Sequence, residues 1–131
     1  MKTLKKIACV DDEPDMRALI KMSLENIGGY EVQAYSSGRE FLDNIKNFGA
    51  DLIVLDAVMP VMSGLEILEK IHELDFLKEI PVLFLTGSAG ESPSEFVAAG
   101  AIGVVAKPFD PLNLSAQIQI MWETYQNGSD A

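Results

Sequence analysis

One cysteine in 131 residues excludes an intramolecular disulfide. Cys9 lies inside an apolar run, where a small core residue is the expected role and a nucleophile is not. Cations are scarce as well. Ten Lys and Arg face twenty Asp and Glu, for a formal net charge of -10. Such a surface opposes the phosphate-backbone attraction that supplies most non-specific nucleic-acid affinity, which argues against direct DNA or RNA binding. No apolar stretch approaches the roughly 18 residues a membrane helix needs. Residues 1–6 carry the basic flank of a secretory signal, but Asp11 and Asp12 interrupt the apolar run that follows. The expectation is a soluble, cytoplasmic chain with no membrane partner. The single histidine, His72, stands among Lys70, Glu73 and Asp75 with no second ligand at helical spacing, so a transition-metal pair is not expected there. No linker rich in Pro, Gly or Ser divides the chain, and its length suits one domain, residues 1–131.

What is present is a fivefold alternation. Apolar runs at 7–10, 30–35, 52–55, 81–85 and 101–106 read as strands, and each precedes a helical pattern. The first helix has Met16, Leu19, Ile20, Ser23, Leu24 and Ile27 at three-and-four spacing, with Gly28 and Gly29 as its stop. Ser37 and Glu40 form a capping-box pattern before Phe41, Leu42, Ile45 and Phe48, and Gly49 closes that helix. Ser63 with Glu66 repeats the pattern before the third helix, and Ser92 with Glu95 does so around Pro93. Asp110 and Pro111 are expected to start the last helix, whose stripe of Leu114, Ile118, Met121, Trp122 and Tyr125 leads to a frayed tail at 126–131. Ile120 falls off that stripe and marks an exposed surface. Met16, Met22, Met59, Met62 and Met121 are expected to fill packing gaps.

Alternating strands and helices predict an α/β fold: a doubly wound, five-stranded parallel sheet with helices on both faces. Strand order 2-1-3-4-5, the flavodoxin-like (βα)5 arrangement, sets the first and third strands side by side at the topological switch point. Asp11 and Asp12 follow the first strand and Asp56 the third, so three carboxylates converge at one sheet edge. Like charges that close destabilise one another unless a cation intervenes. A hard divalent ion such as Mg2+ suits oxygen ligands and keeps positions for water and phosphoryl oxygens. Thr86 and Lys107, at the ends of the fourth and fifth strands, add a hydroxyl donor and a compact positive charge to the same edge.

With Asp11-Asp12 after the first strand, Asp56, Met59-Pro60 and Gly64 after the third, Thr86 after the fourth and Lys107-Pro108-Phe109 after the fifth, the chain resembles a bacterial two-component response regulator receiver domain over nearly its whole length. That resemblance implies phosphorylation of Asp56 by a sensor histidine kinase or a histidine phosphotransfer protein. It implies Mg2+ held by Asp12, Asp56 and the Val58 carbonyl, with Asp11 acting through water, and a phosphoryl group met by Lys107 and Thr86. It further implies a cis Lys107-Pro108 bond and a switched face that recruits a downstream protein target, whose identity the sequence does not reveal. The chain departs from the family pattern at Val104, where many relatives carry an aromatic ring, at Gly87, where alanine is frequent, and at Ser63, where Asp often precedes Gly64. Ser63 reads as a helix cap, and activation is expected to run through Thr86 and the loop at 87–90 rather than through a rotating ring.

Two other functions share features with this chain. A flavin-binding electron carrier shares the strand order, but its phosphate loop wants open backbone amides where this chain has Asp11, Asp12, Glu13, Pro14 and Asp15. A phosphohydrolase working through an aspartyl phosphate commonly needs a second acid two residues beyond the nucleophile, and Val58 occupies that position. The reading is therefore a phospho-accepting switch with at most slow self-dephosphorylation, not an enzyme. It fits either a stand-alone regulator or the receiver piece of a longer protein.

Overall fold

Each of the five apolar runs forms a strand in the computed structural model, which describes residues 2–87 and 93–129. The elements run β1 (Lys6–Val10), α1 (Pro14–Met22), β2 (Glu31–Tyr35), α2 (Gly38–Asn44), β3 (Leu52–Asp56), α3 (Gly64–Glu73), β4 (Val82–Thr86), α4 (Pro93–Ala98), β5 (Gly103–Ala106) and α5 (Leu114–Ser129). All strand pairs are parallel, and the sheet order is β2-β1-β3-β4-β5. In register, Cys9 sits opposite Val54 and Val10 opposite Leu55, so β1 and β3 end side by side.

Alternation along the strands divides the core into two layers. Ala8, Val10, Ile53, Leu55 and Phe84 face α2, α3 and α4, where they meet Phe41, Ile67, Ile71 and Phe96. Ile7, Cys9, Val54, Leu83 and Leu85 face the opposite side, against Ile20 and Leu24 and against Ile118 and Trp122 of α5. Side chains of successive strand residues point to opposite faces, so a strand covered on both sides must be apolar throughout. β3 is such a strand, with all five residues buried. Cys9 is a core residue as expected. Burial, and then the negative charge of Asp11, pushes its thiol up to about 12, which leaves it protonated and inert.

Several helix ends differ from the sequence reading. The first helix does not stay α-helical to Gly28. Residues Ser23–Ile27 widen into a π-helical turn, in which the Gly28 N–H donates to the Ser23 carbonyl at 3.2 Å. The Ser23 hydroxyl donates to the Pro111 carbonyl, and a Cβ on Gly28 would lie 2.8 Å from that of Ser115. The widened turn lies against the α5 entry, a tertiary contact of which periodicity within one helix carries no trace. The last helix begins at Leu114, not at Asp110. Asp110 instead closes a turn, its carboxylate accepting the Leu112 N–H at 3.0 Å, and Pro111 lies within that turn. The helix then runs to Ser129, through most of the stretch expected to fray. In α2 the Ser37 side chain accepts the Glu40 N–H as expected, but Glu40 returns to the N–H of Ser36 rather than Ser37. α2 also ends at Asn44, and a 3-10 turn over Ile45–Asn47 carries the chain to Phe48. The reciprocal box at Ser63 and Glu66 is complete. Met22 is exposed and fills no gap, whereas Ile120 is exposed as expected. The box proposed for Ser92 and the loop at 88–90 lie outside the described residues.

Asp51, just before β3, ties the start of β1 into the sheet. Its carboxylate accepts the Lys5 and Lys6 N–H groups at 3.0 and 2.9 Å and pairs with Lys2 at 3.1 Å. Burial alone would raise its pKa, but the Lys6 and Lys5 amides and then Lys2 outweigh it and hold the carboxyl below its ordinary 3.8. Asp51→Ala should destabilise the fold by about 2 kcal/mol at neutral pH, as expected for losing hydrogen bonds to a charged acceptor. A folded pKa below the unfolded one gives stability that is complete above the unfolded value and is lost as pH falls through the folded value. Asp51→Asn keeps an acceptor without the charge, so its deficit against the parent in denaturant unfolding should shrink as pH falls below 3.8. A deficit unchanged into acid would show that the charge contributes nothing.

Candidate functional site

The carboxyl ends of β1, β3, β4 and β5 bring together the residues singled out in the sequence. Asp11 follows β1 and is buried. Its N–H donates to the Tyr35 carbonyl at 3.1 Å, and its carboxylate accepts the Glu13 N–H at 2.9 Å. Asp56 ends β3 and is 7% exposed, while Asp12 is open to solvent. One carboxylate oxygen from each of the three acids lies within 4.8 Å of the others. Lys107, one residue past β5, reaches back between two of them. Its Nζ stands 3.2 Å from Asp11 Oδ2 and 3.1 Å from Asp56 Oδ1. Thr86 ends β4, is buried, and accepts the Lys107 N–H on its carbonyl at 2.7 Å. The Lys107-Pro108 bond is cis. Val58 is exposed, with its N–H 3.4 Å from Asp56 Oδ1.

The electrostatics follow from this packing. Burial raises the Asp56 carboxyl above its ordinary value, and Asp11 adds to the rise, while the Lys107 hydrogen bond works against it. Burial alone would lower the Lys107 ammonium, but the hydrogen bond to Asp56 and the charges of Asp11 and Asp56 raise it overall. Three carboxylates and one ammonium sum to -2 when all are ionised, which a divalent cation would neutralise. The donors are carboxylate oxygens with no His or Cys among them, a set suited to a hard ion such as Mg2+ and not to a soft one.

Part of this arrangement escaped the sequence reading. Lys107 was expected to meet a phosphoryl group, yet here it already spans two of the acids. Gly64 belongs to the motif after β3, and the reason for a glycine there is steric. A Cβ there would stand 2.5 Å from the Asp56 carbonyl oxygen and 2.7 Å from the Phe84 ring. Arg17, one turn into α1, carries no motif signal in the sequence, although its guanidinium donates to the Asp11 carbonyl at 2.9 Å. The loop after Asp56 also holds an unusual backbone. Val61 has φ 71° and is fully exposed, in a tight turn closed by the Met62 N–H on the Pro60 carbonyl at 2.8 Å. A β-branched residue in that region is strained, by roughly 1–3 kcal/mol.

With this geometry in place, the comparisons with known proteins agree. Residues 7–119 match the family described as response regulator receiver domain. The chain is 34% identical to the chemotaxis protein CheY-3 of Vibrio cholerae over 119 residues, covering 90% of this chain and 92% of that protein. It is 32% identical over 124 residues to the response regulator Rre1 of a Synechocystis strain, covering 93% of this chain but 53% of Rre1. The chain likewise spans about half of the regulatory protein VanRc of Enterococcus gallinarum. Among solved structures, the chemotaxis response regulator CheY4 of Vibrio cholerae superposes with a TM-score of 0.80 at 34% identity, over 91% of this chain and 99% of that one. The BeF3-activated DrrB receiver domain superposes with a TM-score of 0.76 at 33% identity, over 92% and 99% of the two chains. This chain belongs to the response regulator receiver domains of two-component signalling systems. Domains of that family are signalling switches phosphorylated by histidine kinases, and they bind Mg2+ at an acidic pocket. Among the described residues, no helix is long and apolar enough to cross a membrane.

Proposed function

We propose that residues 1–131 act as one receiver domain in which Asp56 is the phosphoacceptor. The observation that carries this reading is the placement of Asp56 at a strand end, within 4.8 Å of two further acids and 3.1 Å from Lys107. A carboxylate oxygen of Asp56 attacks the phosphorus of a phosphohistidine on a sensor histidine kinase or phosphotransfer protein. The P–O bond of an acyl phosphate forms, the P–N bond breaks, and the electron pair leaves with the imidazole. Lys107 and the Thr86 hydroxyl bind phosphoryl oxygens, compensating charge that a buried edge would otherwise penalise.

Asp11, Asp12, Asp56 and the Val58 carbonyl would hold Mg2+, with Asp11 acting through water. Bound there, the ion would offset negative charge on the acids and the incoming phosphoryl group. Phosphorylation then changes the charge at one sheet edge. An acyl phosphate on Asp56 favours the arrangement in which the Thr86 hydroxyl reaches it, and that bias alters the face presented to a downstream protein. On this reading the receiver domain works in the cytoplasm, makes no direct nucleic-acid contact itself, and has at most slow self-dephosphorylation.

Incubation of the full chain with acetyl phosphate and Mg2+ should add one phosphoryl group by intact-mass analysis, and Asp56→Asn should abolish the addition. Undiminished phosphorylation of that variant would overturn the assignment.

A further inference from the structure

Among the described residues, Asp12 is the one member of the acid cluster whose side chain has no anchor. Asp11 is fixed by Glu13 and Lys107, and Asp56 by Lys107 and the Val58 N–H. The Asp12 carboxylate makes no hydrogen bond or ion pair with any described residue, yet it lies within 4.8 Å of the other two. Its position is therefore set by the backbone that leads into it, and above all by the plane of the Asp11–Asp12 peptide. That plane is defined by the Asp11 carbonyl, and Arg17 Nη1 donates to this oxygen at 2.9 Å. On the other side of Asp11, its N–H is held by the Tyr35 carbonyl.

Among the described residues, the start of α1 carries no side-chain cap. Glu13 occupies the capping position but its side chain makes no capping hydrogen bond, and Pro14 contributes no N–H. The loop and the helix are joined instead by two hydrogen bonds that Asp11 accepts, from the Glu13 N–H on its carboxylate and from Arg17 on its carbonyl. Arg17 is on the first full turn of α1, and its own N–H bonds the Glu13 carbonyl within the helix. It thus carries the rigidity of α1 to the peptide that aims Asp12.

We infer that Arg17 is a positioning residue for the Mg2+ site, holding the Asp11–Asp12 peptide so that the Asp12 carboxylate faces Asp56. The inference rests on the reading of the three acids as that site. It makes a prediction opposite in sign to simple electrostatics. A guanidinium near a cation site repels the cation, so removing its charge should by itself tighten Mg2+ binding. If the peptide is instead released, Asp12 no longer converges and binding weakens, as it does when groups that orient metal ligands are lost.

The test is a Mg2+ titration of the full chain, followed by the backbone amide NMR shifts of residues 11, 12 and 56, for the parent, Arg17→Met and Arg17→Lys. Methionine keeps the apolar stem but has neither charge nor donor. Arg17→Met is expected to bind Mg2+ roughly tenfold more weakly than the parent, and Arg17→Lys, which keeps a donor and the charge, to fall between them. Thermal unfolding in EDTA should differ little among the three, since Arg17 is only half-buried. Arg17→Met binding as tightly as the parent, or more tightly, would overturn the inference while leaving the metal reading intact. A parent whose amides at 11, 12 and 56 do not respond to Mg2+ would overturn both.

Discussion

Lys107→Met should slow phosphorylation by acetyl phosphate about 100-fold at saturating Mg2+, the lower range for removing one preorganised donor from a charge-developing site. The expectation comes from the position of the ammonium before any phosphoryl group arrives. Its Nζ already lies 3.1 Å from the Asp56 carboxylate, held from the other side by Asp11 at 3.2 Å. On the proposed reading, the ammonium is thus beside the acceptor carboxylate before phosphoryl oxygens arrive. The same substitution leaves the buried Asp11 carboxylate without its ion partner. Breaking a buried pair by removing one member is costly, and here, with the ammonium partly open to solvent, the loss of metal-free stability should be about 2–3 kcal/mol. Mg2+ should restore part of it, because the cation supplies the missing positive charge. A phosphorylation rate within threefold of the parent, measured by intact mass over time, would remove Lys107 from the chemistry.

Gly64→Ala should destabilise the fold by about 3 kcal/mol, at the upper end of overpacking costs, because the atoms in the way cannot yield. A Cβ at this position meets the Asp56 carbonyl oxygen at 2.5 Å, a Phe84 ring carbon at 2.7 Å and the Ala57 Cα at 3.1 Å. Two of those three are backbone, and Phe84 is fully buried. Room can come only from moving the β3 end away from α3. That displacement carries Asp56 with it, and it strains the hydrogen bond from the Gly64 N–H to the Ala57 carbonyl. The variant should therefore lose Mg2+ affinity as well as stability. Urea unfolding with and without Mg2+ separates the two effects. A parent-like midpoint would mean that the close approach is absorbed elsewhere.

The strands and their order were legible because a parallel sheet covered on both faces leaves uninterrupted apolar runs. Leu52 to Leu55 could be nothing else once Asp56 marked the turn to water. The acids were legible for the same reason, since a charge at the end of such a run marks the carboxyl edge. Helix ends were harder to read. Ser23 looks like an ordinary helical position until the entry to α5 arrives from 88 residues away and takes its hydroxyl. Asp110 and Pro111 satisfy every rule for a helix start, yet local hydrogen bonding to Leu112 and Asn113 closes a turn first and delays the helix to Leu114.

From sequence alone came the α/β class, the strand order and the set Asp11, Asp12, Asp56, Thr86 and Lys107, because periodicity and residue chemistry are local and each run announces its own end. Tertiary structure decided the contacts between those ends. The ammonium of Lys107 bridges Asp11 and Asp56 across gaps of 96 and 51 residues, Gly64 lies against the Asp56 carbonyl, and Arg17 reaches back to the Asp11 carbonyl. No periodicity encodes these distances. They depend on how far each strand end projects once the two core layers have packed, and only the folded backbone sets that.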